Sequence, residues 1–567
     1  MVNDKKNTSG NKRRDVSLLL VLFGIIILVN FIGSFYFKRF DLTSEKRYTL
    51  AESTKKLLSE LNEEVLFKVY LNGNFNPDFT RLKNETKEIL DEFRAYSDNQ
   101  VQYEFITPGE GLAPAEKENI ERQLSEKGLI PEQIVQKQAD KTLETVIWPG
   151  AIASFKGKEA VWQIFKRQLG VSAEECINNS VEELEYSLTT TIRKLQRDKK
   201  LEVTFIEGHQ ELDTLHQYDF MRALSEYYNV NRTPILGKLA ALKGSDAIII
   251  NRPDTTINDR DRFIIDQYIM SGGKVLWLID PVYINRDTFN IKGYTLGLTR
   301  NTGVEEMLFK YGVRLNPLLI QDFQCAQVPI NVGFKGSPNF KFFPWVYSPL
   351  VMPDLDHPIV KNLDLIKFDF ASTLDTVTAK GIKKTILLRS SKTSKAQPTP
   401  ARIFVGSALY PQKESQFHNP YLSIACLLEG EFSSFVEYRL PSALLRDTTF
   451  KYIDKGKRTK MIIVADGDVG KNDFDRSSGR FYPLGYDKYS RQAYANKTFL
   501  LNCVNYLLDD EGLLQLRSRE VKLRQLDKKK IALQRTKWQM TNVVLPLALV
   551  IVLGIISFYL RKRKYTS

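Results

Sequence analysis

Cysteine is scarce in this chain of 567 residues, which has four, at positions 176, 325, 426 and 503. So few exclude a small disulfide-framed protein and a protein built on several zinc sites. The four have no metal-ligand spacing, and a disulfide among them is open in an oxidising compartment without a derivable connectivity. Cys503 lies on the apolar face of an expected helix, as a small packed hydrophobe. Histidine is equally scarce, with four residues (209, 216, 357 and 418) that do not cluster. Of these, His209 and His216 read as surface residues.

Several catalytic motifs are absent as well. No H-E-x-x-H, no G-x-x-x-x-G-K-[ST] and no C-x-x-C occurs. A zincin helix, a P-loop ATP site and thioredoxin-type redox chemistry are therefore excluded. A nucleophile elbow needs Ser or Cys in a tight glycine turn after a strand. The best strands end instead at Glu207-Gly208, Asp280-Pro281 and Asp466-Gly467, and Gly406-Ser407-Ala408 lacks the second glycine. The acidic run 466–475, DGDVGKNDFD, fails the EF-hand pattern, because Gly470 and Lys471 stand at key loop positions and no Glu closes it. No catalytic residue, cofactor or metal is expected.

Charge of one sign is missing from most of the chain, although the net charge is +14. Residues 1–15 carry +3, residues 514–541 carry +7 and residues 561–567 carry +4, which accounts for all of it. A neutral remainder argues against a nucleic-acid groove. Hydrophobic residues make up 43% and charged residues 26%, so the chain is expected to fold rather than stay disordered.

Two stretches lack formal charge altogether. Residues 16–37, VSLLLVLFGIIILVNFIGSFYF, and 543–560, VVLPLALVIVLGIISFYL, are each long enough to span a hydrocarbon core that needs about 20 apolar helical residues. Pro546 sits near the start of the second, where a first helical turn tolerates it. A cleaved signal peptide would have a shorter apolar run and a small-residue cleavage site. Basic residues before the first span and after the second place both termini in the cytoplasm by the positive-inside rule. Residues of about 38–541 then lie outside, in a bacterium the periplasm, and the protein sits in the inner membrane. The basic juxtamembrane segment 514–541 is suited to anionic lipid headgroups.

Periodicity divides the outer region. Residues 41–58 leave the membrane into an amphipathic helix, and strands are expected at 64–71 and 101–106 around a helix at 78–96. A helix at 115–127, strands near 133–138, 145–155 and 159–165, and one helix at 181–197 follow. This order resembles a thioredoxin-like layer fold. Beyond it, 201–206, 246–251, 274–279 and 461–465 are continuous apolar strands, the signature of a parallel sheet buried on both faces. They alternate with helices at 217–228, 259–270 and 496–508, which indicates βαβ units. The segment between, rich in Pro and aromatics, reads as an insertion, with 392–400, KTSKAQPTP, as a mobile loop.

The expected organisation is a tail (1–15), a transmembrane helix (16–37), a thioredoxin-like α/β domain (41–198), a doubly wound α/β domain (199–290 and 460–513), an inserted subdomain (291–459), the basic segment (514–541), a second transmembrane helix (542–560) and a tail (561–567). Glu207, His209, Asp280, Asp466 and Asp468 fall at the carboxyl ends of parallel strands, where open α/β sheets bind ligands. They are the candidate ligand-site residues, set against ordinary turn chemistry for Asp and Gly.

The order of blocks is specific even though no single motif is. DLTSEKRYTLAEST follows the first span, DAIIINRPDTTINDRDRFIIDQYIMSGGKVLWLIDP forms a strand–helix–strand unit, LLEGEFSSFVEYRLP lies at 427–441, and MIIVADGDVG precedes the basic segment and last span. The whole chain resembles the gliding-motility-associated ABC transporter auxiliary proteins of Bacteroidetes, the G component of the Gld system. That resemblance implies a non-enzymatic, substrate-binding-like or coupling subunit that works with a separate ATPase and a separate permease. It also implies a glutamine-amidotransferase-like sheet without its nucleophile. Two alternatives stand beside it: an envelope hydrolase or amidotransferase-like enzyme at the sheet edge, and a periplasmic sensor or scaffold.

Overall fold

Apolar runs alternating with helix-period segments build two sheet layers. The computed structural model describes residues 8–35, 49–73, 75–138, 141–165, 167, 172–196, 200–334, 337–361, 363–410, 412–436, 452–509 and 528–565. Two compact units result, Met1–Arg519 and Glu520–Ser567. The start of the segment expected at 41–58, part of the basic segment (514–527) and residues 437–441 lie outside the described residues.

In the larger unit the first layer contains β1 (Val65–Val69), β2 (Val101–Phe105), β3 (Gly150–Phe155) and β4 (Lys158–Gln163). Their order is β2-β1-β3-β4. Strand β1 runs parallel to β2 and antiparallel to β3, and β3 is antiparallel to β4. The helix Pro77–Tyr96 connects β1 to β2. Asn76 caps it by accepting from the Phe79 N–H at 3.0 Å, and Pro77 occupies the first turn, where no N–H is needed. Phe79, Leu82, Leu90 and Phe93 bury against Val65, Phe67 and Val69. Trp162 fills the centre of this core, edge-on to Phe67 at 5.8 Å, with its Nε1–H donating to Ser187 at 2.9 Å.

Two local expectations change here. The stretch 145–155 is two strands rather than one, because Pro149 supplies no N–H and Lys141–Ile147 pairs with Glu132–Gln138 as a separate hairpin. The helix expected over 181–197 is two helices, Ala173–Glu182 and Leu184–Gln196. Ser172 caps the first by accepting from the Glu175 N–H at 3.2 Å, with Glu174 and Glu175 in the first turn.

The second layer is a seven-stranded sheet of β5 (Glu202–Glu207), β6 (Asn229–Pro234), β7 (Ala247–Asn251), β8 (Lys274–Leu278), β9 (Ile382–Arg389), β10 (Ser423–Ser433) and β11 (Lys455–Val464). Its order is β9-β10-β11-β8-β7-β5-β6. Neighbours among β11, β8, β7, β5 and β6 are parallel, while β10 and β9 add antiparallel at the far edge. Counted along the chain, the parallel strands lie in the order 2-1-3-4-5, a doubly wound arrangement. Strands β9 and β10 come from the segment expected as an insertion.

Alternating side chains cover both faces. Phe205, Ile249, Leu276 and Ile462 pack on Phe220, Phe499, Leu500 and Val504 of the helices Thr214–Ser225 and Asn496–Leu508. Ile206, Ile248, Ile250, Val275, Trp277 and Ile463 pack on Ile264, Ile265 and Ile269 of the helix Asp259–Met270. The two layers meet through Asn505, which accepts from Tyr228 Oη at 2.8 Å and donates to Tyr186 Oη at 3.1 Å.

Residues 394–398, expected in a mobile loop, form a strand (Ser394–Pro398) antiparallel to Leu318–Asp322. A polar edge strand has no apolar alternation to reveal it. Its turn is tied by buried Asp322, which accepts from the N–H and hydroxyl of Ser391 at 2.8 and 2.5 Å.

The smaller unit contains the helix Lys528–Tyr565, and its stretch Gln534–Leu560 is long and apolar enough to cross a membrane. Pro546 lies well inside this helix rather than in its first turn, because the basic residues from Lys528 continue the helix backwards. A proline there removes one intrahelical hydrogen bond, which membrane helices tolerate. The helix Thr8–Phe35 holds a shorter apolar stretch, Val16–Leu28.

Asp266 is fully buried and locks the Asp259–Met270 helix to the end of the helix Glu305–Tyr311 and to the turn that follows β10. It accepts from Tyr311 Oη at 2.6 Å, Ser434 Oγ at 2.7 Å and the Phe435 N–H at 3.1 Å. Asp266→Ala leaves three buried donors without an acceptor and is expected to cost about 3 kcal/mol. Asp266→Asn keeps an acceptor and is expected to cost less. Denaturant unfolding of the two variants checks the ranking, and equal losses would rule out this role for the carboxylate.

Candidate functional site

The carboxyl ends of β7, β8 and β11 lie side by side, so the residues that follow them share one edge. Arg252 follows β7, Asp280 comes just after β8, and Asp466 and Asp468 come just after β11. Their three carboxylates each place an oxygen within 4.8 Å of the others. Three of the five candidate residues are therefore brought together.

Each of the three is already engaged. Asp466 is fully buried. One of its oxygens accepts from the Asp468 and Val469 N–H groups at 2.7 and 3.1 Å, and the other accepts from the Asp369 N–H at 3.0 Å. It holds the turn Asp468–Gly470 and a loop from the inserted segment. Asp280 accepts from the Gly467 N–H and, at 3.0 Å, from Arg252 Nε. Asp468 pairs with the Arg286 guanidinium and lies 3.5 Å from Arg252 Nε. Glycine is required twice in this turn. A Cβ on Gly467 would lie 2.6 Å from Arg252 Cβ, and one on Gly470 would lie 2.9 Å from Leu278.

Burial and the neighbouring carboxylates push the Asp466 carboxyl well above its usual range, against the Asp369 N–H. Burial and the charge of Asp468 likewise raise Asp280, partly offset by Arg252 and Arg300. Burial also opposes ionisation of Asp468, but Arg286 and Arg252 overcome it and hold this group at about 2. Three oxygens at this spacing have the chemistry to hold a hard cation. Arg252 and Arg286 already pair with Asp280 and Asp468, and Asp466 is held by backbone N–H groups, so the cluster is largely committed to internal contacts.

The other two candidates engage elsewhere. Glu207 pairs with Arg232 on the neighbouring strand at 2.5 Å. His209, expected at the surface, is 3% exposed. Its Nδ1 lies 3.0 Å from Glu211 and its Nε2 3.0 Å from Asp261. A carboxylate on each ring nitrogen requires a proton on both, so the ring is an imidazolium. Burial lowers its pKa, but the hydrogen bonds and charges of Glu211 and Asp261 outweigh this and raise it. Asp261 also accepts from the Gly237 N–H at 2.6 Å and from Asn258 Nδ2 at 2.8 Å, which joins three loops around one cation.

Arg252, Arg286, Glu211 and Asp261 were not among the candidates. Arg252 occupies the same post-strand position as the aspartates, which is a usable signal. Asp261 sits three residues after the helix cap Asn258, the spacing of a capping box. Arg286 lies just before the inserted segment, at the start of the helix Arg286–Lys292, and nothing in its sequence neighbourhood points to Asp468.

Two variants follow. Arg252→Met strands Asp280 and shortens the screening of Asp468, and is expected to destabilise by about 3–5 kcal/mol. Adding Asp280→Asn is expected to recover part of this, which a double-mutant cycle in urea measures. His209 has a raised folded pKa, so its contribution is complete below the unfolded value of 6.5 and is lost as pH rises through the higher folded value. Stability is therefore expected to fall with rising pH above about 6.5, and His209→Gln is expected to flatten that slope. A wild-type slope retained in the variant would place the titration elsewhere.

With this geometry described, similarity to known proteins becomes informative. Residues 44–154 match a domain of unknown function (DUF7088). An uncharacterized protein of Borreliella burgdorferi is 21% identical over 577 aligned positions, covering 98% of this chain and 99% of that protein. A solved structure titled mmIFT52 N-terminal domain is 13% identical, covers 54% of this chain and 97% of that one, and aligns with a TM-score of 0.31. Residues 200–503, more than half of the chain, match the family described as ABC-type uncharacterized transport system. The two-layer sheet with its neutralised edge is therefore the body of a member of that family of ABC transporter auxiliary proteins.

Proposed function

We propose that the chain is a membrane-anchored, non-catalytic auxiliary subunit of an ABC transporter. Family membership over residues 200–503 carries this reading. The apolar stretch Gln534–Leu560 supports the anchor. In the finer reading, 16–37 is a second span and both termini are cytoplasmic. Residues of about 38–541 then form a periplasmic body on the bacterial inner membrane. The first layer is read as thioredoxin-like and the seven-stranded sheet as amidotransferase-like. Their strand orders support this. The partners are a separate permease and a separate ATPase, with lipid headgroups at the basic segment 514–541, and the link to gliding motility rests on the sequence blocks alone.

The envelope-hydrolase alternative needs polar groups that converge and remain available to a substrate. Asp280, Asp466 and Asp468 converge, but backbone N–H groups hold Asp466, and guanidinium groups pair with Asp280 and Asp468, leaving Asp468 Oδ1 without a hydrogen bond 3.5 Å from Arg252. This disfavours that alternative.

The deciding experiment is purification of the tagged full-length chain in mild detergent, followed by mass spectrometry. A permease and an ATPase are expected in stoichiometric amount, and their transport-coupled ATP hydrolysis is expected to change when the chain is removed. A chain that elutes alone and leaves the ATPase unaffected would sink the reading.

A further inference from the structure

The hairpin of Cys325–Asn331 and Phe340–Val351 is anchored at its base and bare at its tip. At the base, Trp345 and Tyr347 are buried with Ile403 and Phe417, and Val328 packs on them. Farther out, Pro329 pairs with Phe342 and Asn331 with Phe340, so both phenylalanines share one face. Phe342 is 46% exposed, Phe340 61% and Phe334, at the turn, 88%.

This exposure does not come from a loose loop. Asn331 Oδ1 accepts from the Gly333 and Asn339 N–H groups at 3.0 and 2.9 Å, and the Val332 N–H donates to the Asn339 carbonyl at 2.8 Å. A Cβ on Gly333 would collide with the Ser337 carbonyl. The tip is therefore pre-shaped by its own bonds while presenting aromatic rings to water. Its charge has one sign. No Asp or Glu occurs between Asp322 and Asp354, whereas Lys335 and Lys341 both fall in that stretch.

Area decides between occupants. Three partly exposed rings offer on the order of 400 Å² of apolar surface. A specific protein interface needs about 800 Å² per partner. A bilayer interface accepts aromatic rings one at a time and attracts lysines such as Lys341.

We propose that this hairpin tip inserts Phe334, Phe340 and Phe342 into the headgroup zone of an anionic bilayer, with Lys341 at the phosphate level. It is a second membrane contact made by the folded body, apart from the helices and the basic segment. Its access to a bilayer rests on the membrane-anchored reading above.

The test uses the full-length chain in nanodiscs of zwitterionic lipid with and without phosphatidylglycerol. Phe334→Cys is labelled with an environment-sensitive fluorophore. The native thiols do not compete, since three are buried and burial pushes Cys325 up to about 12. Blue-shifted emission, quenched by lipids spin-labelled near the headgroup and strengthened by phosphatidylglycerol, is expected. Lys341→Gln is expected to reduce the ratio of buried to water-exposed label roughly fivefold in anionic discs. Water-like emission in every disc overturns the proposal, as does a shift that appears only when transporter subunits are added. Carbonate extraction of native membranes reads the anchor separately. If the chain is extracted, anchoring fails, and the same label read with anionic vesicles added still decides the hairpin.

Discussion

Burying carboxylates at the edge of a parallel sheet is costly unless cations come with them, and the larger unit is organised around that constraint. Asp280, Asp466 and Asp468 follow strands that converge because parallel neighbours end together. Removing three carboxyl groups from water without compensation would oppose folding strongly. Arg252 enters from the next strand end and Arg286 from the segment just before the insertion, and Asp369 contributes a backbone N–H from within the insertion. The insertion is thus tied to the sheet edge by the Asp369 N–H on the buried Asp466 carboxyl. The same edge is where an enzyme of this architecture would keep free polar groups. Here they are committed to structure, which suits a protein that couples or positions rather than one that turns over a substrate.

Much of this architecture was legible from residue patterns. Strands such as DAIIIN and KVLWLI are apolar on consecutive residues because both their faces are covered, so their position in a parallel sheet follows from composition alone. The helices 259–270 and 496–508 match their expected limits, the first marked by its Asn258 cap and the second by its apolar stripe alone. What escaped was written in backbone pairing or in distant partners. The strand Ser394–Pro398 is polar and stands by hydrogen bonds to Leu318–Asp322, so no periodicity marks it. In the site, the convergence of the aspartates followed from strand ends. The sign of the group opposite them did not, because Arg286 lies 182 residues from Asp468. His209 was misplaced for a similar reason. A histidine in a polar turn reads as exposed until two carboxylates, one of them 52 residues away, are seen to enclose it.

The two charge clusters do related jobs at neighbouring strand ends. At β5 the single cation His209 draws together two carboxylates and, through Asp261, the backbone at Gly237. At β7, β8 and β11 two guanidinium groups pair with two carboxylates, and backbone N–H groups hold the third. Both convert loop ends, normally the least ordered part of a doubly wound fold, into fixed points.

That internal neutrality also decides which features remain available to the outside. The chain's net charge of +14 lies in residues 1–15, 514–541 and 561–567, and the rest cancels. Within the cancelling part, charges pair locally, as at both strand-end clusters. The hairpin around Phe334 departs from the rule of burial, since its rings stay in water although the core at its base holds Trp345 and Tyr347. Aromatic rings left exposed beyond a packed base are apolar surface that the fold itself does not use.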